Sequence, residues 1–401
     1  MRVEKPSLTG NCDSASLCRE RAGEAPSRLE ATRPGTMRNL DNIGRVVIKV
    51  GTNVLASGDS IPRRIKIIAA GLANLRARGL SPLLVSSGAI GFGAMSLNLE
   101  GRPRKVEMKQ VCAALGQPIL MEHWRRALEK HRIKAAQILL SRESFNDRRS
   151  YLNLRNVVEN LLAIGAVPIL NENDSVSTTE IGDVFGDNDL LSAHVASKLD
   201  AGLLVLLTDT DALYESDPRI NPNARPISVV ERVTKVIKAA AGKSGSEHSS
   251  GGMVTKLQAV EVAYRAGCKT ILADGRREDV LERIFDGEDV GTLFLAGPKM
   301  AAKARWILNA RPKGNVSIDA GALEALAERK SLLPKGVTAV DGVFGIGDVI
   351  LIDSFYQAQA SMASEEIRQA MGLHSREVRA LLGMGRREEV ARAEDIVALH
   401  S

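Results

Sequence analysis

The chain has 401 residues, 44% of them hydrophobic and 25% charged, and carries a net charge of +6. That length suits two or three domains, and the composition excludes a disordered, collagen-like or disulfide-stapled chain. No apolar run reaches the ~20 residues that a membrane-spanning helix needs, and aromatics at 3% leave little from which to build a base-stacking surface.

Residues 1–37 carry Pro, Ser, Gly and Arg without apolar periodicity and are expected to form a disordered extension. They lack the apolar stretch of a secretory signal, and five acids (Glu4, Asp13, Glu20, Glu24, Glu30) speak against a mitochondrial presequence. Met37, just before the first strand signal, is expected to begin the functional chain. The four cysteines, Cys12, Cys18, Cys112 and Cys268, form no CxxC pair and read as reduced thiols in a cytoplasmic protein.

From residue 45 strand and helix signals alternate. RVVIKV (45–50) is a short apolar, β-branched run, followed by helical spacing from Ile61 to Arg78. SPLLVSSG (81–88) reads as a second strand, and a helical region runs from Val106 to Lys130 with an expected interruption at Gly116 and Pro118. AAQILL (135–140), AVPILN (166–171), AGLLVLLTD (201–209) and CKTILADG (268–275) read as further strands. Helices are expected over 152–164, 189–199 and 255–266 between them. Continuous apolar strands separated by helices predict a mostly parallel sheet covered on both faces, an α/β three-layer sandwich. Beyond Phe294 the pattern changes: one amphipathic helix around Trp306, then short strands (316–318, 349–352) and Gly-rich turns that predict a separate small domain of barrel-like type.

In open parallel sheets ligands bind outside the carboxyl ends of the strands. Polar clusters sit at four such ends: Gly51-Thr52-Asn53, Ser86-Ser87-Gly88, Asn171-Glu172-Asn173-Asp174 and Thr208-Asp209. Neither a P-loop nor a dinucleotide fingerprint is present. GKS at 242–244 lacks its first glycine, because Ile237 stands there, and after Gly91 and Gly93 the sixth position is Ser96. No zinc-ligand spacing occurs.

Three features point instead to an anion. Lys49 lies in an apolar strand, where an ammonium is costly unless it meets a negative charge, and Gly51 permits close backbone approach. SSGGMVTK (249–256) places two glycines before a helix start, a cradle of backbone N–H groups. Lys256 sits in that helix's first turn, where a cation opposes the helix dipole unless an anion is near. NEND (171–174) and GDND (186–189) set Asp174, Asp187 and Asp189 in turns, where such carboxylates bind a metal, a substrate ammonium or lysines, or simply cap helices. Fixed cations with backbone donors are what phosphoryl transfer requires.

VVIKVGTNVL (46–55), LVSSGAIGFG (84–93), AALGQP (113–118), VPILNENDSV (167–176), GDNDLLSAHVA (186–196), LLTDTDALYESDPR (206–219), SGGMVTKLQAVEVAYRAG (250–267), VGTLF (290–294) and SLLPKGV (331–337) together resemble the glutamate 5-kinase family of the amino acid kinase superfamily. The resemblance implies a kinase domain over 38–297, a linker over 298–313 and a PUA-like β-barrel domain over 314–401. It implies ATP-dependent phosphorylation of the L-glutamate side-chain carboxylate to L-glutamyl 5-phosphate, the first step of proline synthesis, with Mg²⁺ held mainly by ATP oxygens.

On this resemblance Lys49 and Lys256 stabilise the transferring phosphoryl group and Asp189 holds them in place. Ser87, Asp174 and Asn188 bind glutamate with Asp187 beside them. Lys49, Gly51, Thr208, Asp209 and the run Ser250, Gly251, Gly252, Met253, Val254, Thr255, Lys256 serve the nucleotide. L-proline is the implied feedback inhibitor, the chain a homo-oligomer, and glutamyl phosphate reductase a candidate recipient of the product.

Two departures stand out: the loop TTEIGDVFGDND is slightly long for the family, and DSFYQAQASMAS lacks part of a late strand of the small domain. The competing readings are another superfamily kinase, or an RNA-binding accessory protein. Residues 301–401 contain 13 Lys+Arg and 13 Asp+Glu, a balance that argues against strong RNA binding by the small domain.

Overall fold

The structure is a computed structural model that describes residues 38–56, 61–101, 103–141, 148–176, 188–218, 220–240, 252–383 and 387–399. The expectations for the extension, Met37, Cys12 and Cys18 lie outside these residues. Among the described residues no helix is long and apolar enough to cross a membrane.

The first part of the chain supplies β1 (Arg45–Val50), β2 (Ser81–Ser86), β3 (Ala135–Leu140), β4 (Val167–Glu172), β5 (Leu203–Thr208), β6 (Leu213–Tyr214), β7 (Pro226–Ile227), β8 (Val229–Val230), β9 (Lys269–Asp274) and β10 (Thr292–Phe294). Eight of these form one sheet in the order β3-β4-β2-β1-β5-β9-β10-β8, and β6 pairs with β7. The first six strands in that order run parallel, and β10 turns antiparallel to β9.

The period-2 alternation of each strand divides the core in two. Val46, Ile48 and Val50 face one layer, formed by helices Ile61–Ala77, Val106–Glu129 and Val280–Phe285. Val47, with Leu83, Val85, Leu204 and Leu206, faces the other, formed by helices Arg148–Ala163, Asn188–Lys198 and Met253–Arg265. Burial on both faces explains why the central strands are apolar without alternation. The expected three-layer α/β sandwich with its mostly parallel sheet is what the structure displays.

One expectation is corrected. The helix Val106–Glu129 runs unbroken through Gly116 and Pro118. Pro118 forfeits one backbone bond, but Cys112 and Ala113 before it and Leu120, Trp124 and Leu128 after it are all buried, so packing holds the helix together. A helix the sequence reading omitted, Ala89–Ser96, lies directly against it. Gly116 is there because of this approach: a Cβ built on it would stand 1.8 Å from the Ala89 carbonyl oxygen, and one on Gly93 1.8 Å from that of Cys112. The glycines that failed to complete a dinucleotide fingerprint thus include a helix-packing contact.

The later part forms a second sheet, β12-β11-β13-β14-β15, from β11 (Gly314–Ile318), β12 (Val337–Gly342), β13 (Val349–Ile352), β14 (Tyr356–Gln359) and β15 (Ile396–Ala398). It is strand-rich, with its own core around Val316, Ile350, Ile352 and Ala358. The segment DSFYQAQASMAS supplies the four-residue β14, which pairs antiparallel with β13. Helix Ala302–Asn309 joins the two sheets. Arg305 donates to the Ser197 carbonyl at 2.7 Å and pairs with Asp200 at 2.6 Å, while Trp306 and Ile307 pack with Val349.

The glycine contacts generate a prediction with opposite signs two residues apart. Gly93→Ala forces the helices to separate and is expected to lower unfolding free energy by about 1–3 kcal/mol. Gly91→Ala meets nothing within 4 Å and is expected to leave stability unchanged or raise it by up to about 1 kcal/mol through helix propensity. Urea unfolding of both variants measures the difference.

Candidate active site

The alternation that sorts the core also aims Lys49. It shares the Val47 side of β1, so its side chain enters the layer where helices Asn188–Lys198 and Met253–Arg265 lie side by side. Asp189 is the second residue of the first of these helices, where the dipole favours a negative charge. Lys256 is in the first turn of the second, after Gly252 at its N-cap.

The three meet. Lys49 Nζ lies 2.7 Å from Asp189 Oδ1, and Lys256 Nζ lies 3.1 Å from Asp189 Oδ2. Asp189 is fully buried, and Lys49 and Lys256 are 5% and 8% exposed. Burial pushes the Asp189 carboxyl up, but the Lys49 and Lys256 ammoniums outweigh it and hold its pKa at about 2. The trio therefore carries a net positive charge at the carboxyl ends of the central strands. Lys256's position, unfavourable for a cation on dipole grounds, is compensated within the protein by Asp189. Gly51 leaves room for this arrangement, since a Cβ there would stand 3.2 Å from Lys49 Nζ.

A second cluster lies alongside. Asn188 donates to Ser87 Oγ at 2.8 Å and to Asn171 Oδ1 at 3.1 Å. Asn171 in turn donates to Gln117 Oε1 at 2.9 Å. Ser87 follows β2, tied by its N–H to the Val50 carbonyl at 3.1 Å, and Gly88 takes the turn at φ 115°. Asp174 is half-buried in the turn after β4. Asn188 adjoins Asp189, so the two clusters are contiguous.

The third cluster is at the end of β5. Asp209 accepts from the Asn53 amide at 2.9 Å and from the Thr208 hydroxyl at 3.1 Å. Burial raises its carboxyl; the Asn53 and Thr208 bonds and the charge of Lys256 more than offset this and leave it below its ordinary value. Thr255 Oγ1 donates to the Gly252 carbonyl at 2.9 Å, Met253 packs on a neighbouring apolar cluster, and Val254 is exposed. Asp187, Ser250 and Gly251 lie outside the described residues. Ser86, Asn171 with Glu172, and Thr208 form the last residues of their strands.

Gln117 was missed by sequence reasoning. The available signal was a polar residue on a stripe otherwise formed by Ala113, Leu120 and Trp124. Chemically, two buried cations backed by one carboxylate suit a multiply charged anion, and a ladder of amides and a hydroxyl suits a small zwitterion next to it.

Asp189→Asn removes the carboxylate charge that lies against both buried ammoniums and is expected to cost about 3–5 kcal/mol of stability at neutral pH. The folded-state pKa of about 2 lies below the ordinary 3.8, so this carboxylate's contribution is complete above about pH 4 and is lost as pH falls toward 2. Denaturant titrations are expected to show wild-type stability falling more steeply than the variant's across that window.

Comparison with known proteins gives the family of the chain. A family model described as the amino acid kinase family matches residues 44–274, and one described as the PUA domain matches residues 314–382. Glutamate 5-kinase of Methanosarcina barkeri is 43% identical over 371 residues, covering 89% of this chain and 97% of that protein. Those of Geobacter sulfurreducens and Deinococcus radiodurans are each 41% identical, over 90% and 88% of this chain and 99% and 100% of their own length. The chain is a kinase of the amino acid kinase family, carries a C-terminal PUA domain, and belongs to the glutamate 5-kinases.

Proposed function

We propose that the protein transfers the γ-phosphoryl group of ATP to the side-chain carboxylate of L-glutamate, giving ADP and L-glutamyl 5-phosphate. A carboxylate oxygen attacks the γ-phosphorus, the bond to the β,γ-bridging oxygen breaks, and its electron pair departs on ADP. No proton need move. The protein's task is to position two anions and to offset charge on the equatorial oxygens.

The observation that carries this reading is the convergence of Lys49 and Lys256 on Asp189. Two fixed ammoniums at one point stabilise the migrating group electrostatically, and Asp189 fixes them beforehand. Thr208, Asp209, Gly51 and the segment from Ser250 through Lys256 serve the nucleotide. Ser87, Asp174, Asp187 and Asn188 serve glutamate. Mg²⁺ fits as an ion carried on the ATP phosphates, where it would neutralise part of their charge. Among the described residues no three His, Cys, Asp or Glu side chains group to hold a metal, and Asp189 already faces two cations.

The same reading makes the enzyme a cytoplasmic homo-oligomer inhibited by L-proline. An acyl phosphate hydrolyses readily, which favours direct hand-over to glutamyl phosphate reductase. The balanced charge of the small domain speaks against a role in RNA binding.

A hydroxylamine-trapped assay with ATP and glutamate tests the activity: hydroxamate formation supports it, and its absence with glutamate but appearance with another acid overturns the substrate assignment. Lys256→Ala is expected to lower kcat by about 10²–10³-fold while the protein stays folded. Asp174→Ala is expected to raise the glutamate KM at least tenfold and leave the ATP KM near wild type. A changed ATP KM instead would reverse the assignment of the two subsites.

A further inference from the structure

The geometry points to Gln117 as a positioning residue that sets the hydrogen-bond polarity of the glutamate subsite from inside the protein, with Trp124 supporting the same serine from its backbone side. This rests on the proposed reading of Ser87 and Asn188 as glutamate-binding residues.

The argument follows donors and acceptors along the ladder. The Gln117 carbonyl oxygen accepts from the Asn171 amide NH₂, which leaves Asn171 Oδ1 facing Asn188. Asn188 must then present its NH₂, and it uses that group twice, toward Asn171 at 3.1 Å and toward Ser87 Oγ at 2.8 Å. Ser87 Oγ is thereby an acceptor on its inner side, so its own hydrogen is directed away from Asn188. The subsite consequently offers a hydroxyl donor at Ser87 and a carbonyl acceptor at Asn188, a pairing that suits a carboxylate beside an ammonium. Gln117 and Asn171 are 8% and 3% exposed, so water gives little alternative for either amide.

Without the Gln117 oxygen the Asn171 amide is free to turn over. Its NH₂ would then face that of Asn188, which must turn in response and present oxygen to Ser87. Ser87 would donate inward, and Asn188 would show NH₂ to the substrate. One substitution two residues removed from the ligand inverts the pattern.

Helix Val106–Glu129 holds the other side as well. Trp124, seven residues after Gln117 and on the same face, donates Nε1–H to Ser86 Oγ at 3.0 Å, and Ser86 donates to the Ser87 carbonyl at 3.0 Å. The close approach at Gly93 and Gly116 fixes this helix against the segment that follows Ser87.

The test compares Gln117→Leu, which removes the acceptor, with Gln117→Glu, which keeps an oxygen toward Asn171. Purified full-length protein is assayed by hydroxamate formation, with the thermal midpoint measured alongside. Gln117→Leu is expected to raise the glutamate KM roughly tenfold, the effect of one misdirected hydrogen bond, with ATP KM and kcat within twofold of wild type. Gln117→Glu is expected to restore the glutamate KM to within threefold. An unchanged glutamate KM in Gln117→Leu, equal rises in both KM values, or failure of the Glu variant to restore binding overturns the assignment. If Gln117→Leu does not fold, Gln117→Met decides, since it keeps the unbranched length of the side chain and removes the amide oxygen that Asn171 meets. A glutamate KM raised at least threefold with an unmoved ATP KM supports the arrangement, and an unmoved glutamate KM overturns it. Absence of hydroxamate from wild-type enzyme would refute the activity itself, a result distinguishable from all of these.

Discussion

One fully buried carboxylate between two ammoniums organises this molecule. A lone Asp189 would be expensive where it lies, and so would either lysine. Together they are tolerable, and the geometry that makes them so brings three distant stretches of chain to one point. Removing the carboxylate from water also removes the freedom of the lysines to wander, so the charge is in place before any substrate arrives. In low-dielectric surroundings such fixed charge acts more strongly than the same groups would in water.

Much of the larger sheet was legible because its strands are buried on both faces and therefore read as continuous apolar runs. Lys49 stood out against such a run for the same reason. Lys256 stood out by sitting at the wrong end of a helix dipole. In both cases a local cost signalled a partner that the local sequence does not contain, and the partner proved to be Asp189. The family resemblance assigned the remaining positions, which periodicity alone could not have separated from ordinary turns and caps.

What escaped has a common physical origin. Gly116 and Pro118 look like helix breakers when propensity alone is weighed, yet the helix continues because burial on both sides of them outweighs the lost bond. Gly93, which completes no phosphate-binding fingerprint, is a surface on which another helix rests. Gln117 showed itself locally only as a polar residue on an apolar stripe, since its value lies in an oxygen aimed at Asn171, 54 positions later. Through-space partners of this kind appear only once the layers are assembled.

The contact between Gly93 and Gly116 carries an implication for how this enzyme can change over evolutionary time. Neither glycine can acquire even a methyl group while its neighbour's backbone stays put, because the obstructing atoms belong to main chain and cannot swing aside. Drift toward bulkier residues requires the two helices to move apart, and each such step carries a stability cost. That pair of backbones therefore sets a steric ceiling on residue size at both positions.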